Sequence, residues 1–192
     1  RSTLFPYTTL FRSPAGFLKT YNRIEKYEQI SDRMEVEIAD YLTRVLEGRL
    51  SAEGKNNIRV MLRAVSEIES VADSCNNIAK IIKRRNDAKG HFTDEQNHNI
   101  EHMLALTDAA IVHMNDILLR QTGTREDMAL SYNMENEINS YRNLLKNNNI
   151  DNIDNKLYKY SDAIFYMDII SECEKLGDYV LNVVQAIIEK RL

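Results

Sequence analysis

The chain has 192 residues, of which 43% are hydrophobic and 28% charged, with a formal net charge of −4. That length buries a real core in one domain or two small ones, and the acidic balance argues against nucleic-acid binding. Apolar runs such as Ala105–Leu119 are broken by Asp108, His113, Asn115 and Asp116, short of the roughly 18 uninterrupted apolar residues of a membrane span.

At the N-terminus, Thr3–Ser13 reads TLFPYTTLFRS. This resembles the translation of a common sequencing-library adapter, so residues 1–13 are expected to be non-native and are set aside. A longer native polypeptide is expected upstream of Pro14. From Ala15 onward the chain has no proline, and nothing there forbids long helices.

The first helix is predicted from about Phe17 to Leu46, where Ile24, Tyr27, Ile30, Met34, Ile38, Tyr41 and Val45 recur at spacings of three and four. Gly48 and Gly54 flank a break, and Ser51 caps a second helix over about Ala52–Asn86. Gly90 marks the next break. Thr93, with Gln96 three residues on, is a capping-box pattern opening a third helix that runs to Arg120. After Gly123 a fourth helix is predicted over about Glu126–Lys146. The Asn/Asp cluster Asn147–Asn155 is predicted as a break before a fifth helix, about Asp154–Lys190. No segment alternates as a strand. The fold class is all-α, an antiparallel bundle of five long helices.

The sequence repeats itself. Ser66–Ile78 (SEIESVADSCNNI) returns as Ser171–Val183 (SECEKLGDYVLNV), with Ser, Glu, Glu, Asp and Asn matched 105 positions apart. Upstream, Ser31–Tyr41 and Ser131–Tyr141 share S-x-x-M-E-x-E-I-x-x-Y at a shift of 100. Residues 14–90 form repeat 1 and residues 91–192 repeat 2. Repeat 2 is predicted to have three helices and repeat 1 two, so the expected account is a duplicated three-helix unit with the first helix of repeat 1 missing. The counterpart of Thr93–Arg120 would precede Pro14.

The repeated stretches carry the candidate chemistry. Glu69 and Asp73 are i, i+4 on one helix face, as are Glu174 and Asp178, and Glu28 and Asp32 on the first helix. Such acidic pairs repel. Two facing Glu-x-x-x-Asp helices can present four oxygen ligands to hard or borderline cations, with Asn76 or Asn77 as a neutral ligand or hydrogen-bonding support. The same pairs also suit solvated faces or ion-pair partners, and both readings stand at this point. Glu28 and Asp32 correspond to Met128 and Tyr132, so a four-carboxylate set is complete in repeat 1 alone. Glu35/Glu135 and Glu37/Glu137 persist, as site members or as surface charges.

Other candidates are weaker. His98 and His102 are i, i+4, but H-N-I-E-H lacks the glutamate directly after the first histidine, and exposed histidines are expected. Cys75 and Cys173 read as small buried hydrophobes in a reducing compartment. Lys80, Lys83, Arg84 and Arg85 suit a helix C-terminus or anionic lipid. No nucleophilic triad and no Gly-rich phosphate loop is present, and no helix offers a Glu-x-x-His pair facing the acidic cluster. No catalytic residues are assigned and the chain is not expected to be an enzyme.

Taken together, E-I-E-S-V-A-D-S-C-N-N-I-A (Glu67–Ala79), E-C-E-K-L-G-D-Y-V-L-N-V-V (Glu172–Val184) and E-Q-I-S-D-R-M-E-V-E-I (Glu28–Ile38) resemble the PhoU family over about residues 17–190. The first copy departs from the family pattern in having Ala72 where the second keeps Gly177. The resemblance implies tandem three-helix repeats and a non-enzymatic role in phosphate uptake and homeostasis. It implies multinuclear iron or zinc at Glu28, Asp32, Glu69 and Asp73, and a weaker site at Glu174 and Asp178. Tyr41–Ser51 (YLTRVLEGRLS) looks more like the members attached to sodium–phosphate cotransporters. The implied partner is then the membrane transporter portion of the same parent chain, with this domain cytoplasmic at the inner face of the membrane. The alternative is a free-standing regulator docking on a phosphate transporter or sensor-kinase complex. Apolar surface left by the missing helix is expected to be covered by a second copy, as a homodimer, or by the adapter-derived segment.

Overall fold

The structure, a computed structural model, describes residues 14–189. The adapter-like segment at residues 1–13 lies outside the described residues. The described chain forms α1 (Pro14–Leu46), α2 (Ala52–Asp87), α3 (Asp94–Arg120), α4 (Arg125–Asp154) and α5 (Tyr160–Glu189). No helix among the described residues is long and apolar enough to cross a membrane.

Local chemistry sets the boundaries. Ser51 Oγ accepts the Gly54 N–H at 3.0 Å, capping α2. Thr93 and Gln96 form the expected reciprocal capping box. Thr124 and Asp127 form a second box at α4, with Asp127 in the glutamate position. The break expected at Asn147–Asn155 is not there, because α4 runs through the asparagines to Asp154. Asn149 is buried and its Oδ1 accepts the Tyr158 hydroxyl at 2.6 Å, a tertiary bond that holds the run helical. α4 then stops at Lys156, which takes the left-handed conformation (φ 56°), and α5 starts later than expected, at Tyr160. Lys89 and Gln121 fill the same role after α2 and α3, rather than the neighbouring glycines. Gly123 is required by space instead, since a Cβ there would sit 2.5 Å from Ile188 Cγ1.

α5 packs against α2, α3 and α4, and α1 packs against α2. The α2–α5 pair, one helix from each repeat, is therefore the spine. Ile78 and Ile82 of α2, Met103 and Leu104 of α3, Ile138 and Leu145 of α4, and Ile170 and Leu176 of α5 form its core. The apolar stripe predicted for α1 divides. Tyr27, Met34 and Tyr41, seven residues apart, are exposed, while Phe17, Leu42 and partly Tyr21 and Ile24 meet the core. With α1 rotated this way, Glu28 and Glu35 are half-buried.

Candidate functional site

The seam between α1 and α2 gathers the acidic residues of repeat 1. Burial, and after it the charges of Glu35, Asp73, Asp32 and Glu28, hold the Glu69 carboxyl above the usual carboxylate range. Carboxylates from both helices thus share one field. All four residues predicted for this site are in it. So is Glu35, the largest charge acting on Glu69. Glu37 is exposed, a surface charge.

Asn76 supports the cluster from within. It is 1% exposed, and its Nδ2 donates to Glu28 Oε1 at 2.7 Å. Its own Oδ1 is buried with no hydrogen-bond partner among the described residues, an arrangement that native interiors rarely tolerate. Asn77 donates to Asp73 Oδ2 at 3.2 Å, and Lys80 Nζ lies 4.0 Å from Glu28.

Repeat 2 is built differently. Arg142 of α4 bonds Glu174 of α5 as an ion pair. Its repeat-1 counterpart, 100 positions earlier, is the buried Leu42. Asp178 is raised, first by local burial of its carboxyl and then by Glu174 and Glu135, while Arg142 acts the other way. Asn139 donates to Glu135. Tyr132, where repeat 1 has Asp32, accepts a hydrogen bond from Gln185 Nε2 at 3.0 Å. Glu174 and Asp178 do come together, faced from α4 by Glu135 and by the Arg142 guanidinium rather than by acids alone. Arg142 escaped sequence reasoning; the signal was an arginine where the other repeat has leucine.

No three His, Cys, Asp or Glu side chains are placed to hold a metal ion among the described residues. In repeat 1 the donors fit a hard or borderline cation in chemistry and charge, and the orphaned Asn76 Oδ1 adds a neutral oxygen. In repeat 2 the fixed charge of Arg142 opposes a cation. His98 and His102 are exposed, His102 edge-on against Tyr141 with centroids 4.7 Å apart. Cys75 and Cys173 are buried, with the Cys75 thiol pushed up to about 12 and Cys173 raised for the same reason. Both are unreactive packing groups, as expected.

The family model described as "PhoU domain" matches residues 17–82, the span that carries α1, most of α2 and the acidic seam. The whole bundle has the fold of the solved PhoU from Pseudomonas aeruginosa, with a TM-score of 0.83, 12% identity, and coverage of 96% of this chain and 86% of that one. No curated protein matches the chain in sequence. The match over residues 17–82 agrees with the PhoU resemblance expected from the repeated motifs, and the all-α PhoU fold expected from them is the fold found.

Proposed function

We propose that the chain is a regulatory, non-enzymatic PhoU domain acting on phosphate transport, and that the α1–α2 seam takes up metal. The observation that carries this reading is the convergence of four carboxylates, Glu28, Asp32, Glu35 and Asp73, around Glu69, beside a buried asparagine with an unused oxygen. A cluster of that charge density costs stability unless a cation or a basic partner neutralises it. Glu28, Asp32, Glu69 and Asp73 would hold iron or zinc, with Glu35 beside them. The metal would supply the neutralising charge. The chain's own residues orient the donors: Asn76 fixes Glu28, and Asn77 fixes Asp73. Glu174 and Asp178 would form the weaker site, where Arg142 already neutralises Glu174.

The Tyr41–Ser51 stretch favours the reading as a cytoplasmic domain of a sodium–phosphate cotransporter family protein, lying at the inner face of the membrane with the transporter portion as partner. Similarity along nearly the whole chain to a PhoU protein of comparable length favours a second reading, a free-standing regulator that docks on a transporter or sensor-kinase complex. Both place the same seam in control of phosphate entry.

The test is labelled-phosphate uptake by cells carrying the full parent gene, with and without Glu69→Gln and Asp73→Asn. Loss of the normal shut-down of uptake in phosphate-rich medium is the expected result. Unaltered regulation, with the variant protein present at normal levels, would overturn the reading.

A further inference from the structure

The two repeats leave unequal seams on either side of the α2–α5 spine. On one side lies an open groove of ≈ 640 Å³, within the roughly 300–1,000 Å³ typical of small-molecule sites. Lys80, Lys83 and Arg84 line it from α2 and Lys175 from α5. α5 adds Asp168, Ser171 and Glu172, and α1 adds Tyr21.

The duplication supplies an internal comparison. Shifted by 105 positions, Lys80, Lys83 and Arg84 become Gln185, Ile188 and Glu189, and Lys175 becomes Ser70, so all four cations are lost. That second seam is sealed between repeats. Asn182 Nδ2 donates to Glu67 Oε2 at 3.0 Å, and Arg63 Nη2 to Gln185 Oε1 at 3.4 Å. The equivalent groups on the groove side do not close it. Asn77, counterpart of Asn182, turns to Asp73 on its own helix at 3.2 Å. Glu172, counterpart of Glu67, pairs with Lys175 on its own helix at 2.7 Å.

The helix dipole accounts for cations near the end of α2. It does not account for Lys175, which lies in the middle of α5. Nor does it explain why the matching end of α5 carries none at the matched positions. Arg84 makes no ion pair among the described residues.

We propose that this groove binds a small ligand of nucleotide size that carries adjacent phosphate groups. The lysines are point donors to phosphate oxygens, and the planar guanidinium of Arg84 offers a two-pronged contact. Asp168, Ser171 and Glu172 are acceptors for the hydroxyl or amino groups of an attached sugar or base. The half-buried Tyr21 ring provides a stacking edge. The acids inside the groove and its concave shape disfavour a flat anionic membrane as the occupant. Lys80 also lies 4.0 Å from Glu28 at the edge of the acidic seam, whereas Lys83, Arg84 and Lys175 make no ion pair with it among the described residues, so the Lys83→Gln variant separates this inference from metal uptake.

The test is calorimetric titration of the full chain with ATP, pyrophosphate and inorganic phosphate at low and high salt, alongside flotation with phosphatidylglycerol vesicles. The double variant Lys80→Gln, Lys175→Ser installs the residues that the other repeat carries at those positions. Arg44→Gln, outside the groove, is the charge control. ATP should bind one-to-one, more weakly in salt, and roughly tenfold or more weakly to the double variant, as loss of charge-assisted hydrogen bonds requires, while Arg44→Gln binds normally. If the double variant does not fold, Lys83→Gln alone should still weaken ATP by several-fold. Pyrophosphate binding as tight as ATP would overturn the nucleotide part of the assignment. No soluble anion binding, equal binding by the variants, or capture by vesicles alone would overturn the site.

Discussion

Asn76 of α2 donates to Glu28 of α1 at 2.7 Å while its own Oδ1 stays buried and unpartnered. The bond ties α1 to α2 and fixes the first carboxylate of the acidic seam. Asn76→Ala removes a hydrogen bond to a charged acceptor and leaves Glu28 with Lys80 at 4.0 Å. The expected cost is about 1.5–3 kcal/mol, measured by urea denaturation. Asn76→Asp, which adds a further negative charge, should cost more in metal-free protein.

Arg142 is the counterpart control. Arg142→Leu restores the residue that repeat 1 carries, but strands Glu174, whose side chain is 18% exposed. Loss of the charge-assisted pair should cost about 1.5–3 kcal/mol in the same denaturation experiment. Arg142→Lys should recover part of it, because lysine keeps the charge and loses the planar fork.

The start of α4 gives an acid-side prediction. Arg120, then the Thr124 backbone N–H, hold Asp127 at about 2, below its ordinary 3.8. Its stabilisation is present above 3.8 and is lost as the pH falls through about 2. Asp127→Asn should therefore melt lower than the parent at neutral pH, and the gap should close toward pH 2.

Glu69 has the opposite sign. Its native value is raised above the ordinary 4.5. Stability from the protonated form is fully present below that ordinary value and is lost as the pH rises through the raised native one. In metal-free protein Glu69→Gln should melt higher than the parent at neutral pH, with the difference narrowing as the pH falls toward 4.5. Thermal melts across that range check it.

How far the sequence could be read follows from where the information sits. Caps are local, so Ser51 and Thr93 gave helix starts that the structure keeps. The α4–α5 boundary depends on Asn149 meeting Tyr158, nine residues away, and an asparagine run alone reads as a loop. The acidic pairs were legible because both members lie on one helix. The choice between Glu35 and Glu37 was not, because both persist in the repeat and the rotation of α1 decides which turns inward. That rotation also exposes Tyr27, Met34 and Tyr41, which periodicity alone assigned to the buried face. Arg142 was hidden for a related reason: its partner Glu174 is 32 residues away and on another helix.

The central claim is that the α1–α2 seam is a metal site, and the most direct test is elemental analysis of the protein purified without chelators or a histidine tag. The comparison is the double variant Glu69→Gln, Asp73→Asn. The account predicts stoichiometric iron or zinc in the parent, absent from the variant, with the parent alone stabilised by added metal. No metal in either protein, and melting temperatures that metal leaves unchanged, would contradict it.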